Sequence, residues 1–253
     1  MDHSSQFYAA IILTTLAGLS TIIGSAIAVF YRSPGPRFMS FTLGFSAGVM
    51  ILVSFVELLG KGIDSIGFGY AHIAFFLGIA VMFCIDYFLP HDYIMETVVP
   101  DEHSRLRKAS VLVALGIAIH NFPEGMATFA GTLQSYDTGV ALAAAIALHN
   151  IPEGIAVAMP LYAATGSVKT AFKWSALSGL TEPAGAIIAG TLLYAFLNDF
   201  TIGWTLSMVA GFMVFISLDE LLPVAHSYAK EHLAILGVSA GMALMAFSLW
   251  LLA

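Results

Sequence analysis

His120-Asn121-Phe122-Pro123-Glu124-Gly125, and again His149-Asn150-Ile151-Pro152-Glu153-Gly154, are the stretches that decide the fold of this chain. Each copy of the motif sits inside a long apolar run. Histidine and glutamate stand four positions apart, asparagine and glutamate three, the spacings that place side chains on one face of an α-helix. Ionisable groups in such apolar surroundings are costly and require a partner. No lysine or arginine lies between Lys108 and Lys169, so no basic residue close in sequence answers the two glutamates. A cation from outside the chain is the natural partner.

The surrounding composition fits that setting. Of 253 residues, 59% are hydrophobic and 10% charged, and the mean hydropathy is +0.90. Soluble domains carry about 25% charged residues, so an all-α integral membrane protein is expected. Met1 to Gln6 hold no basic residue and no small-residue cleavage site, so the first apolar helix is expected to be retained rather than cleaved as a signal peptide. The single cysteine, Cys84, excludes an intrachain disulfide and a thiolate metal cluster. A formal net charge of −7 offers no surface for nucleic acid.

A spanning helix takes roughly 20 mainly apolar residues. Eight are predicted, at about 7–30, 38–60, 69–90, 109–134, 138–162, 168–197, 203–226 and 232–252. Turn chemistry separates them, as at Ser33-Pro34-Gly35-Pro36, Ser135-Tyr136-Asp137 and Asn198-Asp199. The longest polar stretch, about 91–108, is a short cytoplasmic loop, leaving a single transmembrane domain over residues 1–253. With the N-terminus outside, Arg32, Arg37, Arg105, Arg107, Lys108, Lys169, Lys173 and Lys230 fall on inner loops and Lys61 alone on an outer one. That bias predicts both termini outside.

The topology fixes the depth of the motifs. The fourth span enters from inside near Ala109 and the fifth from outside near Thr138, and each reaches its histidine after about 11 residues. At 1.5 Å per residue both lie roughly 16 Å deep, half of a core about 30 Å thick. Glu182, about 14 residues into the sixth span, reaches a similar level. A binuclear metal site at the midplane between helices 4, 5 and 6 follows. The prolines withdraw the hydrogen bonds due to the carbonyls of Ile119 and Leu148, a break tolerated where backbone lines a cavity or holds an ion.

Set face to face, His120, Glu124 and Glu153 make one site; Asn121, Asn150, Glu182 and the same glutamates make its neighbour. Nitrogen and oxygen donors without thiolate suit Zn²⁺, Fe²⁺, Mn²⁺, Co²⁺ or Cd²⁺. Two carboxylates so close cannot easily both be ionised without a cation, so metal entry is expected to release protons and transport to be proton-linked. The flanks hold a weaker likeness between Ser54-Phe55-Val56-Glu57-Leu58-Leu59-Gly60 and Ser217-Leu218-Asp219-Glu220-Leu221-Leu222-Pro223. One span runs outward and the other inward, so helices 1–3 and 6–8 would form an inverted repeat. Chance similarity between leucine-rich helices is the competing explanation.

The two motifs, together with Ser178-Gly179-Leu180-Thr181-Glu182-Pro183 and Leu218-Asp219-Glu220-Leu221-Leu222-Pro223, resemble those of the ZIP (Zrt/Irt-like) family of metal permeases. The likeness is closest to its bacterial zinc-uptake members and covers nearly the whole chain. The resemblance implies eight helices, both ends outside, import of divalent metal across the cytoplasmic (inner) membrane, and homodimers. It also implies a binuclear centre at His120, Asn121, Glu124, Asn150, Glu153 and Glu182, with His149 nearby. Some relatives carry a histidine-rich loop between helices three and four. Here that loop offers only His91 and His103 among Asp92, Glu96, Asp101 and Glu102, which argues against a metal-sensing role.

Outside the motifs, Glu57 near the outer end of its helix is a candidate entry waystation. Asp219, Glu220 and His226, toward the inner end of the seventh, are candidates for receiving metal on exit. Solvated helix termini explain these four equally well. The expected function is alternating-access import of Zn²⁺ or a similar divalent ion, with no cofactor besides the cargo. An intramembrane metal-dependent hydrolase is the alternative, since metal, histidine and glutamate also activate water. The His-Glu-x-x-His of a zincin is missing, and each motif glutamate serves better as a ligand.

Overall fold

Caps written into the sequence divide the chain into helices. The computed structural model describes residues 3–31, 35–88, 102–192, 198–228 and 232–252, and no strand occurs among them. The elements are α1 (His3–Tyr31), α2 (Pro36–Val53), a π-helical turn (Ser54–Leu59), α3 (Gly60–Phe88), α4 (Glu102–Gln134) and α5 (Tyr136–Thr165). They continue with α6 (Val168–Gly179), α7 (Thr181–Leu192), α8 (Asp199–Ile216), a second π-helical turn (Ser217–Leu221), α9 (Leu222–Tyr228) and α10 (Leu233–Leu252). Pro36 opens α2, where its missing N–H costs nothing. The hydroxyls of Ser135 and Ser167 accept from the backbone N–H of Thr138 and Thr170, at 3.1 and 3.2 Å, and so start α5 and α6. Asn198 and Thr201 cap α8 reciprocally, both bonds at 3.0 Å.

Five stretches of the described residues are long and apolar enough to cross a membrane: Ser5–Phe30, Pro36–Tyr87, Tyr136–Thr165, Asp199–Tyr228 and Leu233–Leu251. The second of these, 52 residues long, holds a reversal at Gly67, whose φ of 79° and ψ of 159° are open to glycine and strained for other residues. Before Gly67, Gly62 packs on Ser207 and Ser65 on Gly203, so the chain runs antiparallel to α8. After it, Tyr70 meets Phe200, Gly78 meets Met208 and Phe83 meets Phe215, and the chain runs parallel to α8. The turn expected between the second and third predicted spans is therefore this glycine.

Two boundaries differ from the sequence-based expectation. The span predicted at 168–197 is interrupted at Leu180, giving α6 and α7. Pro183 has no N–H to offer the Gly179 carbonyl, and the Thr181 hydroxyl donates instead to the Ser178 carbonyl at 2.6 Å. Helix α4 begins at Glu102 rather than near 109, so part of the loop predicted at 91–108 is helical. Glu102 to Lys108 is rich in good helix formers, which explains the early start. His91 and the side chain of His103 lie outside the described residues.

Helix α5 occupies the centre, packed against α1, α4, α2 and α6, while α4 also packs on α7. Helices α3 and α10 line the outside, against α8 and α2 respectively. Their exposed side chains include Phe68, Phe76, Phe83, Leu236, Phe247 and Trp250, an apolar exterior suited to lipid.

The central contacts are reciprocal. A Cβ on Gly125 of the first motif would strike the Glu182 carbonyl on α7, and one on Gly154 of the second would strike the Thr21 carbonyl on α1. Gly24 of α1 lies on the Ile151 carbonyl and Gly185 of α7 on the Phe122 carbonyl. Gly18 and Gly179 lie against each other's carbonyls. Backbones this close bring α1 and the α6–α7 segment directly beside the two motifs.

Candidate metal centre

Pro123 and Pro152 lie inside α4 and α5, so both motif helices lack one backbone hydrogen bond at the level of their polar residues. The interruption at Leu180 places Glu182 in the first turn of α7, where the unpaired N–H groups and the helix dipole favour a carboxylate. The candidate metal ligands thus come from three elements, α4, α5 and α7.

Glu124, His149 and Glu153 are fully buried, and each offers one ligand atom within 4.8 Å of the other two. His149 Nε2 stands 3.2 Å from Glu124 Oε1. The Ser46 hydroxyl of α2 approaches the His149 carbonyl at 3.3 Å and Glu153 Oε1 at 3.5 Å. That contact ties the second motif to the helix packed behind it.

Both asparagines are held by their amide N–H groups. Asn121 Nδ2 donates to the Ser178 carbonyl at 3.2 Å, with Ser178 Oγ at 3.5 Å. Asn150 Nδ2 donates to the Ala17 carbonyl at 3.0 Å and to Glu182 Oε1. The oxygens left over, Asn121 Oδ1, Asn150 Oδ1 and Glu182 Oε2, are buried and accept no hydrogen bond, nor does either oxygen of Glu124. Among the described residues no lysine or arginine is buried. Buried acceptors without donors are expensive, and a divalent cation answers several of them at once. Imidazole nitrogen with carboxylate and amide oxygens matches the ligand preference of zinc and its neighbours in the transition series.

Among the sequence-predicted ligands, Glu124, Glu153 and His149 come together in one cluster, and Asn150 joins Glu182 beside them. The His120 side chain lies outside the described residues; its backbone sits one turn before Glu124 on α4. The structure makes His149 a direct neighbour of both glutamates, closer to the centre than the sequence expectation set it. Ser46 and the Ser178 carbonyl were not anticipated as supports. A lone serine in an apolar helix carries no signal of what will pack on it.

The four candidate waystations stand apart from this cluster. Glu57 is half-buried in the first π-helical turn, four residues before Lys61. Asp219 is exposed and Glu220 half-buried in the second. Glu220 Oε2 lies 3.7 Å from where a Cβ on Gly116 would stand, one turn before His120 on α4. His226 is exposed, and its Nδ1 lies 2.8 Å from the Leu222 carbonyl.

Residues 95–249 match the protein family described as ZIP Zinc transporter. The chain is 48% identical to the zinc transporter ZupT of Chlorobium luteolum, over 98% of this chain and 99% of that protein. It is 46% identical to the zinc transporter ZupT of Clostridium perfringens, over 99% and 98%. Against the zinc transporter ZupT of Oceanobacillus iheyensis it is 49% identical, over 96% and 98%.

Proposed function

The chain belongs to the ZIP zinc transporter family, and from that premise we propose that it imports Zn²⁺ by exposing one buried site alternately to either side of the membrane. It is a transporter and not an enzyme: the motif glutamates serve as ligands and the zinc is cargo. One ion is held by Glu124, Glu153 and His149, with His120, four residues before Glu124 in sequence, as a further ligand. Asn121, Asn150 and Glu182, with the shared glutamates, hold the neighbouring ion. The donor set also accepts Fe²⁺, Mn²⁺, Co²⁺ and Cd²⁺.

Eight spans carry this site. They are α1, α2 as far as Gly67, the rest of α3, α4, α5, α6 with α7, α8 with α9, and α10. The charge bias puts both termini outside the cytoplasmic membrane. Helices 6–8 repeat helices 1–3 with inverted orientation. Supporting this, both π-helical turns fall on the paired segments, and Ser54 and Ser217 donate to the Met50 and Met213 carbonyls at 2.6 and 2.7 Å. The pairing of α2 with α10 is mirrored by that of α8 with α3, and α1 on α5 by α7 on α4. Glu57 serves entry; Asp219, Glu220 and His226 serve exit, with Glu220 over Gly116 leading toward His120. A homodimer completes the reading by family likeness.

The observation that carries this reading is the buried Glu124, His149 and Glu153 cluster, with no lysine or arginine buried among the described residues. Radiolabelled Zn²⁺ flux into proteoliposomes tests it. Accumulation above that of protein-free vesicles is expected. Metal-dependent hydrolysis without flux would overturn it in favour of the hydrolase.

A further inference from the structure

Thr21 of α1 is fully buried and its Oγ1 makes no hydrogen bond. Among the described residues Ser25, Ser40 and Thr128 share that condition. Thr14, Thr15, Thr132, Thr165 and Thr205 each donate to the carbonyl four residues earlier, the ordinary solution for a helical threonine in an apolar setting. Thr21 and Thr128 depart from it, and of the two Thr21 occupies a place that the other half of the molecule fills with a ligand.

The correspondence is legible in sequence and in contacts. Gly18-Leu19-Ser20-Thr21-Ile22-Ile23-Gly24 aligns with Gly179-Leu180-Thr181-Glu182-Pro183-Ala184-Gly185, setting Thr21 against Glu182. The Thr21 carbonyl lies over Gly154 as the Glu182 carbonyl lies over Gly125. Asn150 donates to the Ala17 carbonyl as Asn121 donates to the Ser178 carbonyl, and Ala17 and Ser178 are equivalent positions. The Glu182 side chain then reaches Asn150 on α5. The equivalent reach for Thr21 is toward Asn121 on α4. Its Cβ borders Gly179, the residue after the carbonyl that anchors Asn121, at 3.2 Å from where a Cβ there would stand.

The geometry points to Thr21 as a further residue of the zinc site, an uncharged oxygen facing the ion beside Asn121 where Glu182 faces it beside Asn150. This inference rests on the zinc site proposed above. Threonine is shorter than glutamate by about the reach of one bridging water, so its hydroxyl holds a water carried by the ion. A carboxylate at both repeat positions would crowd a fourth negative charge beside Glu124, Glu153 and Glu182. A hydroxyl supplies a dipole without that repulsion. Thr21 therefore sets the preference of the site for ions that keep a water tightly.

Zn²⁺ uptake by Thr21→Val, Thr21→Ala and Thr21→Ser, reconstituted at equal protein, tests this, with Mn²⁺ and Cd²⁺ as competitors and Glu153→Ala run beside them. Losing the hydroxyl is expected to raise KM for Zn²⁺ about tenfold in Thr21→Val and Thr21→Ala. It should weaken competition by hard Mn²⁺ more than by soft Cd²⁺. Thr21→Ser should keep the wild-type KM and preference. A wild-type KM and unchanged Mn²⁺-to-Cd²⁺ ratio in Thr21→Val and Thr21→Ala, beside an inactive Glu153→Ala, would overturn the role of Thr21 and leave the site standing. A fall in maximal rate alone would also overturn it, marking a packing role. Wild-type uptake by Glu153→Ala would instead overturn the site itself.

Discussion

His149 Nε2 lies 3.2 Å from Glu124 Oε1, although the two residues belong to different helices and both are fully buried. Contact across α4 and α5 joins the two copies of the motif into one centre. On the proposed reading, both atoms are ligands of the same metal. His149→Ala is therefore expected to raise the KM for Zn²⁺ uptake by at least about tenfold, the cost of losing one nitrogen donor. Uptake kinetics in proteoliposomes check this, and an unchanged KM would remove His149 from the site.

Asn150 uses both of its N–H donors, on the Ala17 carbonyl and on Glu182 Oε1, and so fastens α5 to α1 and α7 together. Asn150→Leu leaves the buried Glu182 Oε1 without its donor, while the Ala17 carbonyl keeps the Ser20 hydroxyl at 2.6 Å, a cost of about 1–3 kcal/mol. Lower thermal stability in detergent and weaker zinc binding by calorimetry are expected together. Asn150→Gln, which keeps the donors on a longer stem, should recover part of both.

The motif glycines are spacers between backbones. Gly125→Ala drives a methyl into the Glu182 carbonyl and Gly154→Ala into the Thr21 carbonyl, and backbone cannot yield as a side chain tip does. Each change is expected to cost at least about 1–3 kcal/mol, the range for overpacking. A melting series should place both well below Gly69→Ala, where a methyl meets nothing within 4 Å.

Much of the site was legible because polar residues are conspicuous in apolar sequence. Glu124, His149 and Glu153 announce themselves by the i, i+4 spacing of the doubled motif, and the gap between the spans expected at 38–60 and 69–90 contains the turn that Gly67 makes. The break at Leu180 was less visible, since a proline inside a long apolar run also permits a continuous kinked helix. Ser46 was not legible at all. Its contact with Glu153 arises from how α2 packs on α5, and serine at a helix–helix contact looks the same whether or not a ligand lies behind it. The start of α4 was misjudged because a charged run such as Glu102 to Lys108 suits a loop and an exposed helical turn equally.

The proposed topology has its own test. In a Cys84→Ser background, Asp64→Cys should react with a membrane-impermeant maleimide applied to intact cells, and Lys169→Cys should not. Both native side chains are exposed, so burial does not hide either site. Labelling of Lys169→Cys from outside would reverse the orientation drawn from the basic residues.

In the proposed mechanism the two buried motif glutamates hold the zinc that crosses the membrane. Radiolabelled Zn²⁺ uptake by the Glu124→Ala, Glu153→Ala double variant, set beside wild type at equal reconstituted protein, tests it most directly. The zinc-induced rise in melting temperature would be recorded on the same samples. Uptake at the level of empty vesicles and loss of that rise, in a variant that still melts cooperatively, is the predicted result. Uptake at the wild-type rate by the folded double variant would contradict it.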